Sequence, residues 1–307
     1  MPLPRPLRLA IQGEHGSFSE EAVGKLLDWP HRVLPAVDFP TMFTNVGRHQ
    51  AHACLAPMEN SLVGSIFESY DLLLQFGYRI LGEVYLRVEH CLIAPVGTYL
   101  EDVERVYSHP VALEQCRLFF RAHPQIQTVA TYDTAGSVRM LVLRRELHAG
   151  AIAGRGAATH YGAKILAENV EDDPANYTRF FLLAPPDAEL EGIEERFRSG
   201  ETGPVKTSIV FHVANEPGSL HHALSGFADG GVDLAKIESR PVRGRPFEYL
   251  FYIDFYGLPG VEPGRKALRA LARQAGFLRI LGTYPSGRLD WMGTDAPLLP
   301  AGGSPAE

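Results

Sequence analysis

One pattern repeats from residue 7 to about residue 183 of this 307-residue chain: a short apolar strand, a small polar turn and an amphipathic helix. In one repeat, the apolar residues 54–58 lead through a polar turn into a segment whose Ile66, Tyr70 and Leu73 recur at helical spacing. Strands that alternate with helices in this way form a sheet with helices on its faces. The pattern therefore predicts an α/β fold for residues 1–184.

The strand–turn–helix pattern ends after residue 184. Residues 185–204 combine prolines, glycines and charged side chains, which is typical of a linker. Residues 205–285 then predict strands at 206–214, 232–237, 248–255 and 277–284, with helices at 219–228 and 262–275. That βαββαβ order predicts an α+β, ferredoxin-like module. The glycine, proline and serine content of residues 286–307 predicts a loose tail, with Trp291 as its last docked side chain.

Charge and cysteine usage limit the classes of function. The formal net charge is -7, and Lys and Arg are scattered, which argues against a nucleic-acid or anionic-membrane partner. Cys54, Cys91 and Cys116 lie at irregular spacing in apolar stretches, so we expect buried free thiols in a reducing compartment. Residues 1–10 lack an apolar signal core, and no apolar run is long enough to span a bilayer. We therefore expect a cytoplasmic protein.

Polar turns follow several of the predicted strands. In an open α/β sheet, ligands bind at the carboxyl ends of the strands, where helix N-termini favour anions. Suitable turns contain Gly13 to Glu20, Glu59-Asn60-Ser61 before Gly64, Ser108-His109-Pro110, and Asp133-Thr134. Each turn also has a structural interpretation, because Ser17 with Glu20 forms a possible capping box and Asn, Ser and Thr are ordinary turn or cap residues.

The run Asn176-Tyr177-Thr178-Arg179-Phe180 adds an arginine to this set of polar turns. An arginine next to an apolar strand is partly desolvated and needs an anionic partner, and its guanidinium matches a carboxylate with two hydrogen bonds. A substrate carboxylate and a structural salt bridge both meet that need.

Other common sites are disfavoured. Gly154-Arg155-Gly156 begins like a dinucleotide fingerprint, but Thr159 occupies the position of the third glycine. The twelve histidines show no metal-ligand spacing, so we expect no metal.

These motifs together resemble bacterial prephenate dehydratase from about residue 7 to residue 285. The matching segments are Gly13 to Glu20, Pro57 to Ser61 with Gly64, Ser108-His109-Pro110 with Gln115, Asp133-Thr134-Ala135, and Asn176 to Phe180. The second module resembles an ACT domain through Gly218-Ser219-Leu220 and Glu238-Ser239-Arg240-Pro241. The sequence departs from the pattern of that family at Met58, Val111 and Val138. These residues lie beside the polar positions, so the departures bear on fine substrate preference.

The resemblance implies a two-lobed catalytic domain like a type II periplasmic binding protein in residues 1–184, a linker in 185–204, and a regulatory ACT domain in 205–285. It implies a cofactor-independent hydro-lyase that converts prephenate to phenylpyruvate, carbon dioxide and water, with feedback by phenylalanine in a homo-oligomer, a dimer or tetramer. Arogenate dehydratase, which gives phenylalanine directly from the aminated substrate, and a non-catalytic sensor of small acids or amino acids are the alternatives.

The same resemblance implies roles for individual residues. Thr178 contacts the leaving hydroxyl, Arg179 clamps a carboxylate, and Glu59 supplies a proton if its surroundings keep it protonated. The residues expected to bind substrate are Asn60, Ser61, Gly64, Ser108, His109, Thr134, Ala135, Asn176 and Phe180. The residues expected to bind the effector are Asn215, Gly218, Ser219, Leu220, Glu238, Ser239, Arg240 and Pro241.

Overall fold

The computed structural model describes residues 6–188, 190, 204–242 and 244–287. The first lobe contains β1 (Leu7–Gln12), α1 (Phe18–Leu26), β2 (His31–Ala36), α2 (Phe39–Gly47), β3 (Ala53–Asn60), β4 (Gly64–Ser65), α3 (Phe67–Phe76) and β5 (Arg79–Arg87). The second lobe contains β6 (Cys91–Ala94), a 3₁₀ turn (Leu100–Asp102), β7 (Arg105–Ser108), α4 (Pro110–Glu114), α5 (Arg117–Ala122), β8 (Gln127–Ala130), α6 (Thr134–Arg144), β9 (Ala149–Ala153), α7 (Arg155–Tyr161) and β10 (Lys164–Ala167).

Strand β11 (Tyr177–Ala184) returns the chain to the first lobe. There it lies antiparallel between β3 and β5, in the order β2-β1-β3-β11-β5. The second lobe repeats this plan, because β6 lies antiparallel beside β9 in the order β10-β6-β9-β7-β8. The chain therefore crosses between the lobes twice, through residues 88–90 and residues 168–176, and the expected two-lobed α/β fold is confirmed.

The sheet of the first lobe is buried on both faces. Strand residues Leu9, Leu55 and Phe180 pack with α1, whereas Cys54 and Phe181 pack with α2 and α3 on the opposite face. Successive side chains of a strand point to opposite faces. The apolar run of β11 is therefore continuous because both of its faces are covered.

The third unit contains β12 (Val205–His212), α8 (Ser219–Asp229), β13 (Leu234–Pro241), β14 (Tyr249–Tyr256), α9 (Gly264–Gln274) and β15 (Phe277–Pro285). This is the expected βαββαβ order, with strands arranged β13-β14-β12-β15 and both helices packed on one face over a core that includes Phe211, Phe227 and Phe255. Strand β15 also pairs in parallel with β5, through Gly282 and Ile80 alone, so the unit extends the sheet of the first lobe.

The close approach at this junction depends on the missing side chain of Gly282, because a Cβ there would collide with the backbone carbonyl oxygen of Ile80. Nearby, the start of the expected linker is held against the first lobe, since Arg79 Nη2 donates to the Ala188 carbonyl at 3.1 Å. Most of the linker and of the expected tail, including Trp291, lies outside the described residues. No helix within the described ranges is both long and apolar enough to cross a bilayer.

Candidate active site

A cleft of about 550 Å³ lies between the two lobes. Most of its lining comes from strand ends, helix starts and the first crossing segment, as the repeated strand–turn–helix pattern requires. The lining residues include Gln12, Ser17, Phe18, Ser19, Asp38, Phe39, Asn60, Glu68, His90, His109, Gln115, Tyr132, Asp133, Thr134 and Thr178. Of the residues predicted to bind or convert substrate, Asn60, His109, Thr134 and Thr178 are therefore brought to one cavity.

Thr178 and Asn60 form the centre of the first lobe's wall. They are opposite each other in the β3–β11 ladder, and Asn60 Nδ2 donates to Thr178 Oγ1 at 3.0 Å. The orientation of the Asn60 amide is fixed, because its Oδ1 accepts from the backbone N–H groups of Leu62 and Val63 at 3.0 and 3.1 Å. Because Thr178 Oγ1 already accepts a hydrogen bond there, its own hydroxyl hydrogen is available to the cleft.

The same hydrogen-bond chain continues through both crossing segments into the second lobe. Asn60 Nδ2 also donates to Asn176 Oδ1 at 2.7 Å, and Asn176 Nδ2 donates to Gln115 Oε1 at 3.0 Å. His90 Nε2 lies 3.0 Å from the same Gln115 oxygen. Asn176 is fully buried, so it orients the other residues rather than lining the cleft itself.

The wall of the second lobe contains Asp133 and Thr134. Asp133 caps α6, and its Oδ1 accepts from the Gly136 N–H at 2.6 Å. Burial raises the pKa of the Asp133 carboxyl, and the nearby Glu14 carboxylate raises it further. Thr134 begins α6 and lines the cleft, as expected, while His109 caps α4 through its Nδ1, which accepts from the Val111 N–H at 3.3 Å.

The two lobes touch beside the cleft at residues 13–16. Glu14 Oε1 accepts from Arg139 and from Tyr132, both at 3.1 Å. Gly16 lies so close to α7 that a Cβ on it would lie 2.7 Å from Ala157 Cα, and its φ of +77° also favours glycine. The glycines of this turn therefore allow contact between the lobes.

The capping box expected in this turn does not form. Ser17 is the N-cap of α1, but its side chain makes no cap hydrogen bond. Glu20 Oε2 instead accepts from the Gly16 N–H at 2.6 Å, and Glu20 Oε1 lies 2.9 Å from His15 Nδ1. The Ser17 hydroxyl therefore has no hydrogen-bond partner among the described residues.

Arg179 does not face the cleft, so its expected role as a carboxylate clamp needs correction. Its side chain lies on the opposite face of β11, where it contacts Glu83 Oε2 and, through Nη1, Asp254 Oδ2 at 2.6 Å. Its Nη2 also donates to Tyr284 Oη at 3.2 Å. The physical reason is strand alternation: neighbouring residues point to opposite faces, so Thr178 and Arg179 cannot share one pocket.

Glu59 needs the same correction, because it precedes Asn60 in β3 and points away from the cleft. Glu59 Oε1 lies 2.8 Å from Lys236 Nζ of β13, and Glu59 Oε2 lies 4.0 Å from Arg179 Nη1. Glu59 therefore joins the ionic contacts between the first lobe and the third unit. The structure does not place it where it could transfer a proton to a substrate in the cleft.

The other predicted substrate residues lie behind or beside the cavity. Ser108, Ala135 and Phe180 are buried, and Ser108 Oγ donates to the Ile152 carbonyl at 2.7 Å. Ser61 lies in the exposed turn after β3 and Gly64 begins the short strand β4, and Ser61 Oγ donates to the Ala175 carbonyl at 2.8 Å. These five residues support the walls rather than line the cleft.

The expected effector residues lie at one end of the third unit's sheet. Asn215, Gly218, Ser219 and Leu220 follow the end of β12, and the other segment ends β13, which runs parallel to β12 with β14 between them. Arg240 forms two hydrogen bonds to Asp71 of α3, at 2.8 and 3.1 Å, and Glu238 contacts Ser65. Ser239 and Pro241 are exposed. Within one chain, the charged members of this segment are thus engaged by the first lobe.

Sequence reasoning missed His90 as a cleft residue and gave Gln115 no role. Gln115 stood in a matching segment, which was a usable signal. His90 had no local signal, since it reaches the cleft only because the chain crosses between lobes there. Within the described ranges, no cluster of three or more His, Cys, Asp or Glu side chains could hold a metal ion.

Comparisons with known proteins cover most of this chain. A family model described as prephenate dehydratase matches residues 9–188. Arogenate dehydratase/prephenate dehydratase 2, chloroplastic, of Arabidopsis thaliana is 40% identical over 289 residues, which are 91% of this chain and 73% of the relative. Arogenate dehydratase 2 of Petunia hybrida is 39% identical over 315 residues, covering 93% of this chain and 77% of the relative.

Two solved structures have closely similar folds. Prephenate dehydratase from Arthrobacter aurescens, in complex with L-Phe, superposes with a TM-score of 0.79 at 30% identity, covering 92% of this chain and 90% of that chain. GqqA, described as a novel type of quorum quenching acylase, also has a TM-score of 0.79 at 33% identity, covering 91% of this chain and 98% of that chain. Because these two descriptions name different reactions, fold alone does not specify the chemistry.

Proposed function

This chain belongs to the prephenate dehydratase family, and we propose that its cleft converts prephenate to phenylpyruvate by removing carbon dioxide and water. The departing carboxylate leaves from one ring carbon and the hydroxyl from the opposite carbon, and formation of the aromatic ring drives the reaction. The protein must therefore orient the acid and donate a hydrogen bond or proton to the leaving hydroxyl.

The observation that carries this proposal is the contact between Asn60 and Thr178. Asn60 donates to Thr178 Oγ1, so the threonine hydroxyl presents its hydrogen to the cleft. As the bond from carbon to the leaving oxygen breaks, that oxygen gains negative charge and the hydrogen bond from Thr178 strengthens. The interaction therefore favours the transition state over the bound substrate.

Asp133 replaces Glu59 as our candidate for the proton source. It lines the same cleft, and burial raises the pKa of its carboxyl, which favours the protonated form needed by a general acid. Replacing Asp133 with asparagine keeps an acceptor for the Gly136 N–H but removes the acid. The resulting loss of turnover should be largest at low pH, where the aspartic acid is protonated.

A direct assay tests the reaction and separates its alternatives. The purified protein is incubated with prephenate and, separately, with arogenate, the substrate acted on by relatives whose names specify arogenate dehydratases. Phenylpyruvate from prephenate supports the proposal, and phenylalanine from arogenate supports the second candidate. Binding of either acid without product would instead favour a non-catalytic sensor.

We further propose that residues 205–285 form an ACT-type regulatory domain that binds phenylalanine. Support comes from the βαββαβ order and from the L-Phe complex of the similar Arthrobacter aurescens structure. Glu238 and Arg240 connect this unit to the first lobe, so an effector that changes their contacts would bias the cleft. Isothermal titration should detect phenylalanine binding to the intact protein, and its absence would remove this part of the proposal.

We also propose that the protein is a homo-oligomer and that it works in the cytoplasm. Strand β13 ends the sheet of the third unit, and edge strands readily pair with a second copy. The three cysteines are buried and free, which suits a reducing compartment. Light scattering coupled to gel filtration would report a dimer or tetramer, and a monomer would contradict the proposed assembly.

A further inference from the structure

The turn at residues 13–16 brings a carboxylate of the first lobe to the second-lobe wall of the cleft. Glu14 Oε1 accepts from Tyr132 Oη and from Arg139 Nη1, both at 3.1 Å. Tyr132 directly precedes Asp133 in sequence, and Arg139 lies in α6, the helix that Asp133 caps. The Glu14 side chain is 24% exposed, so it lies mostly between the two lobes. Glu14 therefore holds the segment that carries Asp133 against the first lobe.

Asp133 itself lies against the same turn. A Cβ added to Gly13 would lie 3.1 Å from Asp133 Oδ2, and Gly13 has a φ of +103°. The other carboxyl oxygen, Asp133 Oδ1, accepts from the Gly136 N–H. The first lobe thus approaches the Asp133 carboxyl group on its Oδ2 side, and Glu14 is the next residue along that backbone.

Charged and titratable groups reach Asp133 from both lobes. Glu14 comes from the first lobe, whereas His109, which caps α4, and Tyr161, at the end of α7, come from the second. Burial raises the pKa of the Asp133 carboxyl, the Glu14 carboxylate raises it further, and a charged His109 lowers it. Because Glu14 reaches Asp133 where the lobes touch, the protonation of Asp133 depends on contact between the lobes.

We propose that Glu14 is a positioning residue of the dehydratase reaction, which joins the lobes through Tyr132 and Arg139 and completes the surroundings of Asp133 when the lobes meet. A negative charge beside Asp133 opposes the loss of its proton, so Asp133 enters the reaction as an acid. Its proton then goes to the leaving hydroxyl, which departs as water, and Asp133 regains a proton from solvent. This role of Glu14 rests on the proposed dehydratase function and on Asp133 as its acid.

Two variants separate this role from a structural one. Glu14→Gln and Arg139→Gln both remove the ion pair between Glu14 and Arg139. Glu14→Gln also removes the negative charge beside Asp133, although its amide oxygen can still accept from Tyr132. Arg139→Gln keeps that charge and is the matched control. If the ion pair were only structural, the two variants would behave alike.

The measurement is kcat and KM as ratios to wild type across a range of pH. Each variant should raise KM about 2- to 5-fold at every pH, because a partly exposed ion pair between the lobes is lost. The kcat of Glu14→Gln should be within about 2-fold of wild type near pH 5.5 and about 3- to 10-fold lower near pH 8, since Asp133 then loses its proton at lower pH.

The kcat ratio of Arg139→Gln should not change with pH. Glu14→Asp keeps the charge, so its kcat ratio should also stay constant with pH. His109 is present in every one of these proteins, so the ratio to wild type cancels the effect of its titration on Asp133.

A kcat ratio that changes with pH equally in Glu14→Gln and Arg139→Gln, or in neither, would overturn the role of Glu14. Adding Glu14→Gln to Asp133→Asn should cause no further loss that depends on pH, because both changes act on one acid. A further loss there would show that Glu14 acts through another group.

The same assays separate this inference from the function on which it rests. Wild-type protein that converts neither prephenate nor arogenate removes the dehydratase function together with the role of Glu14. Full kcat in Asp133→Asn removes the acid and its positioning residue but keeps the reaction. Turnover that needs Asp133, with Glu14→Gln and Arg139→Gln alike, removes the role of Glu14 only.

Discussion

The two faces of the β3–β11 strand pair differ in their surroundings, although they are built from residues that are neighbours in sequence. Asn60 and Thr178 face the cleft and hydrogen-bond to each other, whereas Glu59 and Arg179 face the third unit. The cleft face is polar and open to a ligand, and the opposite face is buried and ionic. Neighbouring residues of one motif thus separate into a residue that lines the cleft, Thr178, and a residue in buried ion pairs, Arg179.

The largest effect should come from the ionic face. Arg179→Met removes the charge that neutralises Glu83 and Asp254, and breaking a buried ion pair costs about 3–5 kcal/mol of unfolding free energy. Arg117→Met is the control, because the Arg117 side chain is 72% exposed and its pair with Asp172 should contribute less than about 1 kcal/mol. Urea unfolding measures both. A stable Arg179→Met protein with a raised KM would restore the clamp role.

The second effect belongs to the cleft face. Thr178→Ala should lower kcat about 10²- to 10³-fold while KM changes by only a few-fold, because the lost hydrogen bond matters most in the transition state. Thr178→Ser keeps the hydroxyl and should retain most of the activity. Steady-state kinetics on folded protein decides the matter, and turnover within a few-fold of wild type in the alanine variant would exclude Thr178 from the chemical step.

Asn60→Asp should give a smaller loss on the same face. A carboxylate cannot donate to Thr178 Oγ1, so the threonine hydroxyl turns toward it and its hydrogen leaves the cleft. We expect kcat to fall about 10- to 100-fold. The double variant with Thr178→Ala should be no slower than Thr178→Ala alone, since both changes remove one interaction. Additive losses would show that Asn60 acts independently of Thr178.

The smallest effect concerns the pH dependence of stability that His90 causes. His90 lies in the first segment that joins the two lobes. Burial lowers the pKa of His90 in the folded protein, so the unfolded chain takes up a proton first as pH falls. The stability contribution is therefore complete above the unfolded pKa of about 6.5 and is lost as pH falls from there toward the folded pKa. Melting temperatures measured from pH 7.5 to 5 should fall less for His90→Gln than for wild type. Melting temperatures that fall equally with pH in both proteins would contradict the lowered pKa of His90.

Much of the fold was predictable because its signals are local. The strand–turn–helix repeat, the βαββαβ order and the polar residues at strand ends all depend on neighbours in sequence. The separation of Thr178 from Arg179 was also predictable in principle, since strand alternation is a two-residue rule.

The remainder depended on contacts between distant residues. Arg179 pairs with Asp254, which lies 75 positions further along the chain, and no pattern near either residue indicates the pairing. His90 similarly meets Gln115 only because residues 88–90 carry the chain from one lobe to the other. Such partners are fixed by topology, so they appear only once the strand order is known.

The narrow junction at Gly282 has a mechanical consequence. The third unit and the first lobe share one sheet through a single residue pair, and that pair exists because Gly282 has no side chain. Adding one methyl group at Gly282 would push β15 away from β5, at a position where neither Gly282 nor Ile80 lines the cleft. The third unit and the first lobe would then be joined by the apolar packing of Tyr284 with Ile80 and by ion pairs such as Arg179 with Asp254, without the backbone of a continuous sheet.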